Sequence, residues 1–395
     1  HVKFDNNVHI KKGEGTVANL PADVVANATL LDLPSKEPTY LKTIETEKRF
    51  NPISDYSKLM MKLLASPNIA SKIWVYGQYD HEVGIRTVVK PGTDASVLRL
   101  DNGKYLSAKI DGNPKQCYIN PREGAIGCFE EACRNVVCTG ARPIGMLDHL
   151  QFGNPNDPEI FWTFLESLKG LTDFAKSFEI PCVGGKVSLF NETPAGSIKP
   201  TPVIGVIGLI DKKPSVPQRI VEDDCLLIVG DTKDELGGSE YFEYIHKFIG
   251  GNCPTVDFKE SKKNMKTVLE IIKQQIPKVA HDCSKGGLAV AVAELCMTNQ
   301  IGCNVSLDKV PGEKLTDDRI LFSESHSRYL LVVDKTHIKK LETILKKNKV
   351  SYENIGKFGG EKIQFNNGKK PIINLIVDKA HKTWINSLED LVLHG

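Results

Sequence analysis

The sequence predicts an α+β to α/β fold with two consecutive domains, and three observations support this interpretation. Short apolar runs typical of strands alternate with amphipathic helical stretches between residues 87 and 210. The same alternation begins again near residue 219. A chain of 395 residues is long enough for two or three domains. We therefore expect a first domain over residues 56–215 and a second over residues 216–395.

The composition excludes several classes of function. With 41% hydrophobic and 25% charged residues, the chain has the composition of an ordinary soluble globular protein. A net charge of +2 argues against a nucleic-acid binder, and no apolar run approaches the roughly 18 residues of a membrane span. No signal peptide is visible, so we expect a cytoplasmic protein. The ten cysteines, among them Cys182, Cys225 and Cys296, are expected to be reduced and mostly buried.

The N-terminal segment resembles the end of a domain more than the start of one. Alternating apolar residues such as Phe4 and Ile10, followed by a Gly-x-Gly break, predict short strands with a hairpin over residues 1–40. No helix long enough to close a core is predicted there. Prolines and charges then predict a linker over residues 41–55. We expect the body of this first piece to lie upstream.

The first domain begins with a helix at residues 55–64, where apolar residues recur at helical spacing. Three strands are predicted next, at residues 87–89, 96–100 and 105–110. An Asn-Gly turn at Asn102 gives the second pair the strongest hairpin signal.

Two longer helices of the first domain each begin at an Asx-Pro pair, which caps the helix and presets its first turn. These pairs start at Asn120 and Asp157, and the first helix is expected to stop at Gly140. A strand over residues 144–147 is predicted between them, with Asp148 at its end. A further strand is predicted over residues 202–210.

The second domain is predicted from four strands and four helices. The strands are expected at residues 225–230, 302–307, 329–334 and 373–377. The helices are expected at residues 239–249, 261–275, 288–297 and 337–348. A loop over residues 279–287 leads into the third helix.

The stretch GGKVSLFNE at residues 184–192 is the strongest candidate for a functional loop. It follows an apolar run, residues 180–183, that is expected to be a buried strand. Its glycines permit a close approach of the backbone to a ligand, and the spacing of Lys186 and Ser188 puts both side chains on one face of an extended backbone. The pattern is not a Walker A loop. A structural turn and a phosphate or nucleotide site both remain open on this spacing.

Eight stretches together resemble one family, the synthetase subunits of phosphoribosylformylglycinamidine synthases, of the small type that works with separate glutaminase and helper subunits. They are residues 74–81 (WVYGQYDH), 111–113 (DGN), Asp148 with 152–155 (FGNP), 184–192 (GGKVSLFNE), 200–202 (PTP), 236–241 (LGGSEY), 281–288 (HDCSKGGL) and 322–328 (FSESHSR). They occur in order along essentially the whole chain.

The resemblance implies the fold and the reaction. Each half of the family's tandem chain resembles aminoimidazole ribonucleotide synthetase, with an N-type and a C-type domain, and this chain resembles the second half preceded by the last strands of the first. The family is an ATP-dependent ligase of purine biosynthesis, which converts formylglycinamide ribonucleotide and ammonia from glutamine to the amidine. Its catalytic His lies in the first half, so the resemblance implies no catalytic residue here and an isolated chain that is inactive.

The resemblance also implies ligands for three residues of this sequence. Asp148 and Gly185 are expected near ATP, and Ser188 near the ribonucleotide substrate. Implied partners are the N-terminal half of the same enzyme, the glutaminase subunit and the small helper subunit. A homodimer of this chain is a further possibility, since the face that meets the first half would otherwise be an exposed apolar surface.

The sequence departs from the family pattern at Lys186, where the family commonly has a magnesium-binding Asn, and at His149 and Gln151. An ammonium cannot ligate a metal. Either the Mg²⁺ that accompanies ATP loses this ligand, or Lys186 takes over part of its charge neutralisation.

Other polar motifs are expected to be structural. In the family the loop containing His281 and Asp282 is chiefly architectural. Glu324 and His326 mirror a substrate-contacting motif of the first half, and we expect a structural role for them in this copy.

Two alternative functions remain open from the sequence. One is a non-catalytic nucleotide-binding scaffold that docks a glutaminase. The other is a stand-alone ATP-using relative, such as an aminoimidazole ribonucleotide synthetase, although the glycine-rich N-terminal loop of those enzymes is not seen here.

Overall fold

Two mixed β-sheets and the helices packed on them make up most of the chain. The computed structural model describes residues 6–27, 32–46, 48, 50–51 and 53–395. The strands are β1 Asn7–Lys12, β2 Gly15–Pro21, β3 Thr87–Val89, β4 Ser96–Arg99, β5 Tyr105–Asp111, β6 Arg142–Gln151, β7 Cys182–Ser188, β8 Glu192–Thr193, β9 Gly196–Ser197, β10 Thr201–Ile210, β11 Cys225–Val229, β12 Val279–Asp282, β13 Cys303–Ser306, β14 Tyr329–Val333, β15 Tyr352–Phe358, β16 Lys362–Asn367 and β17 Lys370–Ile376. The α-helices are α1 Ala22–Ala26, α2 Tyr56–Leu64, α3 Ile73–Tyr76, α4 Pro114–Ile119, α5 Pro121–Cys138, α6 Pro158–Phe178, α7 Phe258–Lys273, α8 Gly287–Asn299, α9 Asp317–Phe322, α10 Ile338–Lys347 and α11 Val377–His394.

The first sheet has six strands in the order β3-β4-β5-β10-β6-β7. Strands β6 and β7 pair in parallel, and the other neighbours pair antiparallel. Helices α5 and α6 pack on one face, where alternate residues of β6 and β10 join the core. On the opposite face Leu98, Ile110 and Leu147 are 37%, 71% and 42% exposed. That face, the outer face of the first sheet, is therefore apolar and uncovered in the described part of the chain.

Helix α5 lies between the two sheets. It begins as predicted, with the Asn120 side chain accepting a hydrogen bond from the Glu123 N–H at 3.1 Å and a proline in the first turn. It ends at Thr139, and Gly140 follows with φ of +82°. Of its 18 residues, 16 are buried, so it cannot be a surface helix. Its apolar residues share one core with both sheets, which joins the two halves of the fold.

The second sheet has seven strands in the order β12-β14-β11-β15-β13-β16-β17. Its interior strand β11 is buried on both faces because helices cover both. Leu226 and Ile228 pack with α2 and α8, whereas Leu227 and Val229 pack with α5, α7 and α10.

The N-terminal segment contains the predicted hairpin, formed by β1 and β2 around Gly13 and Gly15. Phe4 of the predicted first strand and Pro52 of the predicted linker lie outside the described residues. The segment just before the predicted linker is anchored, because the ring of Tyr40 stacks on that of Tyr118 with centroids 4.4 Å apart.

Two predictions for the first sheet are wrong. The run predicted as a buried strand followed by a glycine turn is an exposed edge strand, β7, which continues through both glycines to Ser188. Cys182 is exposed rather than buried, and Val183 is 59% exposed. Strand β6 continues three residues past Asp148, because its parallel pairing with β7 persists to Gln151. A short apolar run does not distinguish an edge strand from a central one.

Three predictions for the second domain also need correction. The predicted loop over residues 279–287 begins with strand β12, and the helix predicted at 239–249 is one π-type turn, Tyr241–Ile245. Strand β15, in the middle of the sheet, is missing from the prediction, because alternating polar residues mask it.

Candidate functional site

The candidate site lies on the two parallel strands at one edge of the first sheet. The register pairs Asp148 with Gly185, and His149 with Lys186. Because side chains alternate along a strand, Asp148 and the Gly185 Cα hydrogens belong to one face, and His149 and Lys186 to the other. The structure thus brings the predicted residues together at one edge but distributes them over two faces.

Asp148 leaves no space for a side chain at position 185. A Cβ atom built on Gly185 would overlap the Asp148 carboxylate, whereas one built on Gly184 would meet only Leu147 Cδ2 at 3.6 Å. The Cys182 thiol donates to the other oxygen of Asp148 at 3.5 Å, a weak contact. Asp148 forms no ion pair with any described residue. Its half-buried carboxylate therefore stays available as a hydrogen-bond acceptor beside a bare stretch of backbone.

Ser188 ends the edge strand and belongs to a tightly bonded turn. The Asn191 amide donates to the Ser188 carbonyl at 2.8 Å and to the Phe152 carbonyl at 2.9 Å. Phe190, which lies between Ser188 and Asn191 in the sequence, has φ of +62°, a left-handed conformation that the turn imposes. The Ser188 hydroxyl lies 3.3 Å from Asn191 Oδ1 and 3.2 Å from its Nδ2, so this side chain is held by the turn.

A buried ionic network joins the two domains through α5. Arg134 forms ion pairs with Glu130 of the same helix and with Asp282 of β12, the latter at 3.2 Å. Lys285 bridges Asp111 at 3.0 Å and Glu131 at 3.2 Å. Sequence reasoning missed this network, although the i,i+4 spacing of Glu130 and Arg134 among the apolar residues of this helix was a usable signal.

His281 is bonded to a carboxylate at each of its two ring nitrogens. Its Nδ1 lies 3.0 Å from Asp94 Oδ1 and its Nε2 lies 3.2 Å from Glu294. Burial lowers the pKa of His281, but Asp94 and Glu294 outweigh burial and raise that pKa well above its usual value. A protonated imidazole held by two carboxylates cannot serve as a general base.

One cavity of about 410 Å³ lies between the domains beside this cluster, lined in part by Lys109 and Arg219. Asp94, His281 and Asp282 also form the one group, among the residues that the structure describes, whose ligand atoms lie close enough to hold a metal. Both carboxylates of this group already accept hydrogen bonds, Asp94 from His281 and from the Asp282 N–H, and Asp282 from Arg134.

Glu324 is buried and caps other segments of the protein. Its Oε1 accepts hydrogen bonds from the backbone N–H groups of Gly286 at 2.9 Å and Glu240 at 3.1 Å. Burial raises the pKa of Glu324 to about 7. His326 is buried as well, with Nδ1 3.5 Å from Glu130. The structural role expected for both residues stays a prediction.

None of the helices in the described ranges is long and apolar enough to cross a membrane.

The fold and the edge site define a class of protein. Residues 92–210 match the family described as AIR synthase related protein, N-terminal domain, and residues 221–365 match its C-terminal domain. The chain therefore belongs to the AIR synthase related proteins. Its curated relatives are phosphoribosylformylglycinamidine synthase subunits named PurL. The protein from Methanocaldococcus jannaschii is 43% identical over 392 residues, and that from Methanococcus aeolicus is 39% identical over 392 residues.

The alignment with the M. jannaschii protein covers 96% of this chain but 52% of that protein. The alignment with the M. aeolicus protein covers 97% of this chain and 53% of that protein. The chain thus spans about half the length of the curated relatives it matches.

Solved structures of PurL have the same fold. Thermotoga maritima PurL complexed with FGAR matches with a TM-score of 0.70 at 19% identity, covering 84% of this chain and 54% of that one. T. maritima PurL complexed with ATP matches with a TM-score of 0.64 at 18% identity, covering 88% of this chain and 53% of that one. The structure of PurLQS from T. maritima matches with a TM-score of 0.65 at 19% identity, covering 85% of this chain and 52% of that one.

Proposed function

We propose that this chain is part of an ATP-dependent ligase of purine biosynthesis. The ligase converts formylglycinamide ribonucleotide, ATP and ammonia from glutamine to formylglycinamidine ribonucleotide, ADP and phosphate. The observation that carries the proposal is the 43% identity to a PurL subunit along 96% of the chain. Identity at this level over two successive domains supports a shared reaction as well as a shared fold.

The chain is divided in this proposal as its sequence indicates. Residues 1–40 are terminal strands of a preceding domain, and residues 41–55 are a linker. Residues 56–215 form a synthetase-like N-type domain, and residues 216–395 form the C-type domain. The exposed apolar residues of the β1–β2 hairpin support this division, since an isolated two-stranded hairpin is at best marginally stable in water.

In the proposed enzyme, Asp148 and Gly185 contact ATP, and Ser188 contacts the ribonucleotide. The missing side chain at Gly185 and the adjacent carboxylate support the first assignment, because a glycine allows a ligand to approach the backbone beside Asp148. The tightly bonded turn after β7 supports the second, since it holds the Ser188 hydroxyl in place. The chemistry needs cations and oriented donors on the phosphates, and a dry site to protect the phosphorylated formamide from hydrolysis.

Magnesium does not fit the residues of this edge. Mg²⁺ takes oxygen ligands, and the edge offers the single carboxylate of Asp148, which belongs to the face opposite Lys186. Any Mg²⁺ that accompanies ATP therefore takes its protein ligands from elsewhere in the enzyme. No catalytic residue is proposed in this chain, and the His281 cluster is bonded internally.

The proposed partners are the N-terminal half of the enzyme, a glutaminase subunit and a small helper subunit. The outer face of the first sheet supports the first of these, because exposed Leu98, Ile110 and Leu147 form a surface suited to another sheet. In the absence of that half, the same face would pair two copies of this chain. The proposed enzyme is cytoplasmic and needs neither nucleic acid nor a membrane.

Calorimetric titration with Mg-ATP tests the proposal. The chain is titrated alone and again after addition of the other half of the M. jannaschii PurL protein, expressed separately. We expect ATP binding and ADP release that depends on ammonia and formylglycinamide ribonucleotide once the halves are mixed, and no turnover by this chain alone. The matched control is the same mixture with Ser188→Ala, which should lose affinity for the ribonucleotide but keep ATP.

Tight ATP binding by the chain alone, without turnover in any mixture, would instead favour a non-catalytic nucleotide-binding scaffold. Turnover by the isolated chain would contradict the proposed division of the site and favour a stand-alone relative.

A further inference from the structure

Helices α7 and α10 hold a disproportionate share of the positive charge of the chain. Together they carry nine lysines and three glutamates, a charge of +6, whereas the whole chain has a net charge of +2. The rest of the chain therefore has an excess of acidic residues. All nine lysines are exposed. They form what is called here the lysine face: Lys259, Lys262, Lys263, Lys266, Lys273, Lys339, Lys340, Lys346 and Lys347.

The two helices present these lysines side by side. Both pack their apolar residues on the same face of the second sheet, so their outward faces lie next to each other. The Asn348 amide, directly after α10, donates to the Glu270 carboxylate of α7 at 3.0 Å and links the two helices. Residues spaced by three, four and seven positions share one side of a helix, so the lysines of α7 form a stripe about 21 Å long.

The charge of the lysine face is not neutralised within the described part of the chain. Lys346 forms an ion pair with Glu342 at 3.8 Å, and none of the other eight lysines forms an ion pair with a residue that the structure describes. Glu260 of α7 is directed elsewhere, since it lies 3.7 Å from Lys233. Like charges three and four positions apart on one helix repel one another. An anionic partner would relieve that repulsion.

The surface chemistry selects the backbone of a double-stranded nucleic acid. No large apolar or aromatic side chain is exposed on α7 or α10, both of which the structure describes in full. Protein interfaces have an apolar or aromatic core in which lysine is rare, and helices in a membrane surface bury an apolar face. Single strands are bound through aromatic side chains on which bases stack. A duplex needs only cations, since it carries roughly one phosphate per 1.7 Å of its axis.

We propose that the lysine face binds the phosphate backbone of double-stranded nucleic acid without sequence specificity. Neither helix exposes an Arg, Asn or Gln, the side chains that most often read base edges, so the contact is confined to phosphates. A net charge of +2 argues against such binding only where the charge is evenly distributed, and here it is not. The lysine face belongs to the second domain and the candidate site to the first sheet, so this contact is additional to the proposed reaction and does not rest on it.

Fluorescence anisotropy of a short labelled duplex, RNA or DNA, measures binding to the 395-residue chain. We expect binding in the micromolar range at about 50 mM salt. If about four phosphates are neutralised, the logarithm of the binding constant falls with a slope of about −4 against the logarithm of salt concentration. Binding should then weaken roughly 50- to 80-fold at about 150 mM salt. Binding of either duplex supports the inference, and the tighter one identifies the source of the phosphates.

A fourfold variant of the lysine face tests the contact directly. It should weaken binding at about 50 mM salt by at least about tenfold and reduce the salt slope by about 2 or more, because each lost phosphate contact lowers the slope by about 1. Exposed lysines without ion pairs tolerate replacement, and circular dichroism confirms that the variant is folded. The variant carries Lys263→Gln, Lys266→Gln, Lys340→Gln and Lys347→Gln.

A control variant changes the net charge equally but leaves the lysine face intact. It replaces four exposed lysines on other elements, none with an ion pair to a described residue, and should stay within about threefold of the wild type. The control carries Lys314→Gln, Lys362→Gln, Lys369→Gln and Lys379→Gln.

Equal losses in the two variants would show that binding follows net charge, and would overturn the inference. It would also be overturned by the absence of binding to both duplexes at about 50 mM salt, or by binding to vesicles of anionic phospholipid in place of both duplexes.

Discussion

Replacing Arg134 with methionine tests whether buried charges hold the two domains together. Its guanidinium is fully buried at the centre of α5, between Glu130 on its own helix and Asp282 on β12. Glu131 lies 4.0 Å away. Methionine fills much of the same volume, so the substitution removes the charge and its hydrogen bonds without opening a large cavity.

The expected loss of stability follows from the two buried carboxylates that remain after Arg134 is replaced. Without Arg134, the carboxylates of Glu130 and Asp282 stay buried and lose their ion-pair partner. Breaking a buried pair by removing one partner costs about 3–5 kcal/mol. Since domains are stable by roughly 5–15 kcal/mol, this is a large fraction of the total. We expect the free energy of unfolding to fall by about that amount at pH 8.

The pH dependence of stability provides a separate test of the Glu130–Arg134 pair. Burial alone would raise the pKa of Glu130, but Arg134 and His326 outweigh it and lower that pKa to about 2. The pair therefore stabilises the protein fully above the ordinary glutamate pKa and loses its effect as pH falls toward 2. In the variant, burial dominates and Glu130 takes up a proton more readily. The difference between the two proteins should shrink from pH 8 to pH 5.

Urea denaturation followed by circular dichroism measures both effects. The control is Arg122→Met on the same helix, whose side chain is 42% exposed and pairs with Asp173 at 2.5 Å. That surface pair should be worth about 0–1 kcal/mol. Equal losses for the two methionine variants, or a difference from wild type that grows on acidification, would refute the assignment of Arg134 as the buried link.

Two further predictions concern the edge site and a buried acid. Gly185→Ala should weaken ATP binding by about tenfold, roughly 1.4 kcal/mol, because its Cβ displaces Asp148. Calorimetry should show little change for Gly184→Ala, where the space is open, and equal affinities would contradict the role of Gly185. Burial raises the pKa of Glu324 to about 7, above its value of 4.5 in the unfolded chain. Between these two pH values the folded state therefore binds a proton that the unfolded state has lost. The free energy of unfolding should fall by up to about 3 kcal/mol as pH rises through this interval. Glu324→Gln should flatten that fall in urea denaturation at pH 5 and pH 8, and parallel slopes would exclude Glu324 as its source.

The sequence determined the elements with strong local signals. The Asx-Pro pairs at Asn120 and Asp157 fixed the starts of α5 and α6, because a cap and a preset φ act within one turn. The Asn-Gly turn and the alternating strands around it were equally local. The family and its two domains also followed from the sequence, through eight ordered motifs and no single one. The site residues named from those motifs remain predictions.

Only the tertiary structure decided which surfaces these elements present. The run at β7 is apolar enough for a core strand, yet it lies at an open edge, since exposure depends on which strands pair with it and the sequence does not encode that locally. The same holds for the pairing of His149 with Lys186. These residues lie far apart in the sequence, but their strands are neighbours in the sheet. The burial of Arg134 was decided in the same way, by its pairing with Asp282 of β12, more than a hundred positions downstream. Burial, charge pairing and sheet register are long-range properties, and each changed the interpretation of a residue that the sequence could only name.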